Sequence, residues 1–177
     1  MVKKIAFIFA WLVFFVAALL FFAPKVNLYY LLEKELQKLH VVIDNETIVE
    51  HPFGLELEHA DVYAEGIRIL KVMELHANVW LLSNSIEAGQ IRLDGVAKSF
   101  LPTKIEQAVV HYALWNPLYA TFEAKGEFGV LQGRVALKER KVFLLLHPSD
   151  YMKRHYAQLL GEMKKNKEGG YTYEQSL

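Results

Sequence analysis

The chain contains no cysteine. That excludes a disulfide framework, a thiol nucleophile and a cysteine-held zinc site. It also lacks an excess of either charge, with 20 Lys and Arg against 20 Asp and Glu. A nucleic-acid partner needs a basic field, which is missing here. There is no Gly-x-Ser-x-Gly elbow, phosphate loop, dinucleotide fingerprint or zinc-protease helix. These absences point away from an enzyme, a cofactor or a metal site. Low-complexity tracts and clean internal repeats are missing too.

One long apolar run stands out. Ile5 to Ala23 carries no charged and no strongly polar residue. At 1.5 Å per residue a helix of this length reaches roughly 28 Å, about the hydrocarbon thickness of a bilayer. Pro24 disfavours continuing the helix, and Lys25 marks the water side. Lys3 and Lys4 precede the run, so the positive-inside rule places the N-terminus in the cytoplasm and the rest of the chain across the membrane. A cleaved signal peptide is the rival reading. It fits poorly, because Phe21 would fall at −3 of the cut and Pro24 just after it. Residues 1–24 are therefore expected to form an uncleaved transmembrane anchor.

Residues 25–40 read as a juxtamembrane amphipathic helix. Asn27 is its expected cap, and Leu28, Leu31, Leu32, Leu36 and Leu39 form its apolar stripe. Its polar face is poor in basic residues, which favours packing of the stripe on the chain's own domain over lying on lipid. Residues 41–177 read as one β-rich domain with a C-terminal helix over 149–167. Val41 to Ile43 and Thr47 to Glu50 flank the turn pair Asp44-Asn45. The apolar phase of Leu55 to Ala64 shifts near Ala60, which predicts a bulge. Further strands are expected over Ile67 to Trp80 and Ile86 to Ala97, and Tyr119 to Leu146 reads as a three-stranded meander. Ser149 caps the last helix, whose stripe is Met152, Tyr156, Leu159, Leu160 and Met163, ahead of Gly169-Gly170. Tyr171 to Tyr173 alternates and is expected to add a last strand. The fold class is mainly β with flanking helices: a curved antiparallel sheet, as an open barrel or a jelly-roll-like groove.

Ile105 to Trp115 is apolar on both faces apart from Glu106, Gln107 and His111. One face carries Ile105, Val109, Ala113 and Trp115, and the other Ala108, Val110, Tyr112 and Leu114. A sheet with a wet back would show one polar face. Both faces are thus expected to be covered, and Val109, His111, Ala113 and Trp115 are the candidate lining of an apolar ligand groove. Two i, i+2 pairs, His59 with Asp61 and Glu74 with His76, share strand faces. They read as solvated faces, because no further ligand spacing converges on them. Gly126, Gly129 and Gly133 read as turn and bulge positions.

The stretch Gly126-Glu127-Phe128-Gly129-Val130-Leu131-Gln132-Gly133-Arg134-Val135-Ala136-Leu137 resembles the glycine-punctuated hairpin of the type II secretion protein N family and the related AsmA-like proteins. The resemblance spans roughly Leu55 to Leu146. The layout is also similar to that of the bitopic jelly-roll component of lipopolysaccharide export. These resemblances imply a bacterial inner membrane, a periplasmic β-domain, envelope protein partners and a lipid ligand. The expected function is non-enzymatic service to a secretion or lipid-transport assembly. The alternative is a structural or interaction protein of the cell envelope with no lipid ligand.

Overall fold

The computed structural model describes residues 24–80, 82–95, 101–166 and 169–176, together with residues 11, 12, 14–16, 18, 21, 22 and 98. Most of the expected span from Ile5 to Ala23 lies outside these residues. Among the described residues no helix is long and apolar enough to cross a membrane.

Helix α1, Lys25–Lys38, leads into strands β1 (Val41–Asp44), β2 (Thr47–His51), β3 (Gly54–Ala64), β4 (Ile67–Val79), β5 (Ser83–Leu93), β6 (Lys104–Ala113), β7 (Tyr119–Gly126), β8 (Gly129–Ala136) and β9 (Lys141–Pro148). Two short helices follow, α2 (Asp150–His155) and α3 (Ala157–Gly161), and then β10 (Lys164–Lys165) and β11 (Tyr171–Ser176). All eleven strands form one antiparallel sheet in the order β1-β3-β4-β5-β6-β7-β8-β9-β11-β10, with β2 also on β3. The sheet does not close into a barrel, nor does it divide into the two layers of a jelly roll.

β1 and β2 are not the two arms of a hairpin, as the Asp44-Asn45 pair led one to expect. Both run along the same edge of β3, Val41 opposite Ala64 and Thr47 opposite Glu58. Asn45 has φ 64° and forms an interruption within a single edge. That interruption belongs to a crease. His59 (φ 61°) lies beside it on β3, and Gln90 (φ 50°) lies on β5. Register pairs bracket both, with Glu58 opposite Glu74 and Ala60 opposite Val72, then Gly89 opposite Gln107 and Ile91 opposite Ile105. The pairing stays in register across both; the register itself shifts between Val62 and Tyr63 where β3 meets β4, and between Ile105 and Gln107 where β6 meets β7. Each such irregularity reverses which face the following side chains occupy. The phase shift read near Ala60 falls beside the positive φ of His59, whereas the bulge in the β3–β4 ladder lies between Val62 and Tyr63.

The edges are blunted in different ways. Helix α1 lies along β1 and β2, its Lys25 N–H donating to Glu50 Oε1 (3.1 Å) and its Tyr29 hydroxyl to Glu46 Oε1 (2.9 Å). Burial, followed by the bond to Glu46, pushes the Tyr29 phenol well above its usual range. The other edge ends in the exposed pair Lys164-Lys165, a charge that discourages further strand pairing.

Two helical expectations need correction. Helix α1 is capped by Pro24, not Asn27, and buries Lys25 and Tyr29. Leu28, Leu31, Leu32 and Leu39 point to solvent. The register of the helix is set by Tyr29 and Val26, which pack on Leu55 and Leu57. The helix expected over 149–167 breaks at Tyr156 (φ −128°), and Lys164-Lys165 pair with Tyr171 and Thr172. The break lets Met152 and Leu160 both reach Leu146. Gly169, at φ 81°, serves the β10–β11 turn and does not stop a helix. The Ser149 cap is as read: its hydroxyl accepts from Met152 N (3.0 Å) and donates to the Glu127 carbonyl.

Candidate functional site: the apolar face of the sheet

Residues directly opposite each other in an antiparallel ladder project to the same face. The register therefore shows what each face carries. One row runs Ile48, Leu57, Leu75, Ala88, Ala108, Ala124, Leu131, Leu146, Tyr171 across nine strands. The next runs Leu55, Ala77, Ile86, Val110, Phe122, Gly133, Leu144, Tyr173. On the opposite face the matching row is Glu56, His76, Glu87, Val109, Glu123, Gln132, Leu145, Thr172. One face is apolar from edge to edge and the other is largely polar.

Two covers sit on the apolar face. At one end α1 contributes Tyr29 and Val26 over Leu55, Leu57, Leu75 and Ala77. At the other, Met152, Leu159, Leu160 and Met163 lie over Leu131 and Leu146. Between them the face is open. Ile86 is 48 % exposed and Val110 42 %. A hollow of about 410 Å³ extends under α2 and α3, with Leu93, Ile105, Ala124, Leu144 and Phe128 among its lining. Among the described residues Glu162 is the lone charged one on its wall.

This geometry corrects the reading of the central segment. β6 is central, but it is not covered on both faces. Val109, His111 and Ala113 lie on the polar face, opposite Glu87, Ser85 and Ser83. Trp115 lies beyond the strand in the β6–β7 turn and is 71 % exposed. His111 is exposed between Ser85 and Thr121, neither core nor groove. None of the four lines the apolar hollow. The site residues missed are Ile86, Val110, Ile105 and Phe128. Ile105 was assigned to the Val109 face, and the irregularity at Glu106 moves it to the Val110 face, in line with its place on the hollow's wall.

A larger hollow of about 710 Å³ lies beside β8, β9 and β11, with Gln132, Arg134, Lys164, Asn166 and Glu174 on its wall. Its Arg134 guanidinium sits 5.0 Å from the Phe143 ring centroid and 5.5 Å from that of Tyr119. That lining mixes charged side chains with Phe143, Leu144 and Leu145, unlike the almost wholly apolar hollow under α2 and α3. Of the i, i+2 pairs, His59 is exposed, whereas Asp61 is buried and accepts from Asn45 Nδ2 (3.0 Å). Glu56 lies 3.0 Å from His51 and 3.8 Å from His76. Among the described residues no group of three or more His, Asp and Glu is placed to hold a metal ion.

No protein-family model matches this chain, and no curated protein or solved structure does either.

Proposed function

We propose that this is a non-enzymatic, single-pass protein of the bacterial inner membrane. Its β-domain lies in the periplasm and holds lipid acyl chains on the open strip of its apolar face, in the service of a lipid-transport or secretion assembly. The observation that carries this reading is the uninterrupted apolar row structure with Ile86 and Val110 left uncovered between two helical lids. A sheet face meant only as core would be roofed along its length, because exposed apolar area of this kind is costly in water. The run from Ile5 to Ala23 supplies the anchor, and the Lys3-Lys4 pair its orientation. The resemblance of the Gly126 to Leu137 hairpin to the protein N and AsmA-like families supports the same location.

The test is lipid capture by the full chain. Protein purified in mild detergent is analysed by native mass spectrometry with in-membrane photocrosslinkable phospholipid. Crosslinks to peptides bearing Ile86, Val110 or Phe128 are expected. Crosslinks confined to the N-terminal segment, with protein partners mapped to the apolar strip, would favour an envelope interaction protein without a lipid ligand.

A further inference from the structure

The two rims of the sheet differ in chemistry. At one rim lie the β3–β4, β5–β6 and β7–β8 connections, with Glu65, Glu127, Asp94 paired to Lys98, and a single large exposed apolar side chain among the described residues of these connections, Leu101. At the other lie the β2–β3, β4–β5, β6–β7 and β8–β9 connections. There Trp80, Leu82, Leu114, Trp115, Leu118 and Leu137 are all exposed. The last of these turns reads Leu137-Lys138-Glu139-Arg140, with two cations and one carboxylate. Large exposed apolar side chains on three neighbouring turns cover no core of their own.

The chain enters the domain at this same rim. Phe21 meets Phe53 edge-on at 6.0 Å, and Phe53 stacks on Trp80 at 4.7 Å. Lys25 at the start of α1 is held by Glu50, near the end of β2. An apolar N-terminal segment that spans the bilayer would thus leave it beside these turns. The short aromatic chain from Phe21 to Trp80 leaves little room for a spacer between membrane and rim.

We infer that this rim is seated in the interfacial layer of the bilayer. Trp80 and Trp115 lie at the headgroup level, the leucines reach the upper acyl region, and Lys138 and Arg140 face lipid phosphate. Tryptophan is the residue that favours this depth, and cations beside it suit anionic headgroups. The open strip of the apolar face would then begin at the membrane surface, since Ile86 and Val110 lie on the strands that run up to this rim. The inference rests on the membrane anchor proposed above.

Three tryptophans make a direct test possible. Full-length protein is reconstituted in phosphatidylcholine–phosphatidylglycerol vesicles containing phospholipid brominated at shallow acyl positions. Trp11→Phe leaves Trp80 and Trp115 as reporters, and the Trp80→Phe/Trp115→Phe double variant leaves Trp11. Expected is loss of most Trp80 and Trp115 emission to brominated lipid, with little loss to aqueous iodide. Leu114→Lys with Leu118→Lys, both at exposed positions, should reverse that preference while the quenching of Trp11 stays. Rim tryptophans that respond to iodide alone overturn the inference, because the rim then lies in water. Rim tryptophans shielded from both quenchers overturn it in favour of a protein contact. Escape of Trp11 from brominated lipid overturns the anchor itself, and the seating of the rim with it.

Discussion

The ring of Phe53 lies almost flat on that of Trp80, 4.7 Å between centroids and 15° between planes. Phe53 sits in the β2–β3 turn and Trp80 just after β4, so the stack ties the point of chain entry to the sheet. Offset-stacked pairs contribute about 0.5–1.5 kcal/mol beyond their burial. A double-mutant cycle of Phe53→Ala and Trp80→Ala, read by thermal unfolding of the detergent-solubilised chain, should return a coupling of that size. A coupling near zero would mean that the stack is incidental.

Gly133 and Gly161 should respond to alanine with opposite signs. A Cβ at Gly133 would come within 2.3 Å of Phe122 Cζ and 2.6 Å of the Phe143 carbonyl. The Phe122 ring occupies the space a side chain would take, and backbone blocks the other side. Gly133→Ala should cost about 1–3 kcal/mol, the usual range for overpacking. Gly161 ends α3 with nothing within 4 Å of its added methyl. Gly161→Ala should be neutral or add about 0.4–1 kcal/mol by restricting the unfolded chain. Denaturant midpoints of the two variants decide this.

Asp94 gives the acid limb of stability a defined source. Lys98 Nζ reaches its Oδ1 at 2.8 Å, and Arg68 donates to Oδ2 from Nε and Nη2 at 3.0 and 2.6 Å. The Gly95 N–H adds a bond at 2.9 Å. Lys98 first, then Arg68 and the Gly95 amide, hold the carboxyl well below the usual carboxylate range. A depressed folded-state pKa adds stability above the unfolded value, about 3.9 for Asp, and that stability is lost as pH falls through the folded one. The melting temperature should therefore begin to lose this contribution only below about pH 4. Asp94→Asn should lower the plateau at neutral pH and flatten the fall. An unchanged acid limb in the variant would assign the loss to other carboxylates.

The strands were legible because alternation survives in them, and the β7–β8–β9 meander stands where its turn residues place it. What alternation does not carry is a side chain's face across an irregularity. Ile105 and Val109 are four residues apart and would share a face in a regular strand. The shift at Glu106 separates them, and no local signal in Lys-Ile-Glu-Gln marks it. The same limit explains the Asp44-Asn45 pair, whose residues suit a tight turn and an edge bulge equally. The leucines of α1 form a true helical stripe, yet Tyr29, with its hydroxyl bonded to Glu46, outcompetes them for the sheet. Periodicity finds a stripe but does not show which of two apolar faces the tertiary contact selects.

The sharpest test of the open face is a pair of neighbours on β6. Val110 lies in the apolar row between Ile86 and Phe122, and Val109 lies on the other face between Glu87 and Glu123. Because Val110 is 42 % exposed, an aspartate there keeps much of its hydration. Val110→Asp should cost only about 1 kcal/mol, less than the full burial term of an aliphatic side chain. It should nevertheless abolish displacement of a fluorescent fatty acid from the protein, since a carboxylate in the strip repels an alkyl chain. Val109→Asp puts a carboxylate directly between those of Glu87 and Glu123. Like charges directly opposite cost about 0.2–1 kcal/mol, so this variant should be equally or slightly less stable than Val110→Asp. Its fatty-acid displacement should match the wild type. Equal loss of capture in both variants would place the binding surface elsewhere. Unfolding of Val110→Asp with Val109→Asp intact would make the strip a covered core and remove the main support for lipid binding there.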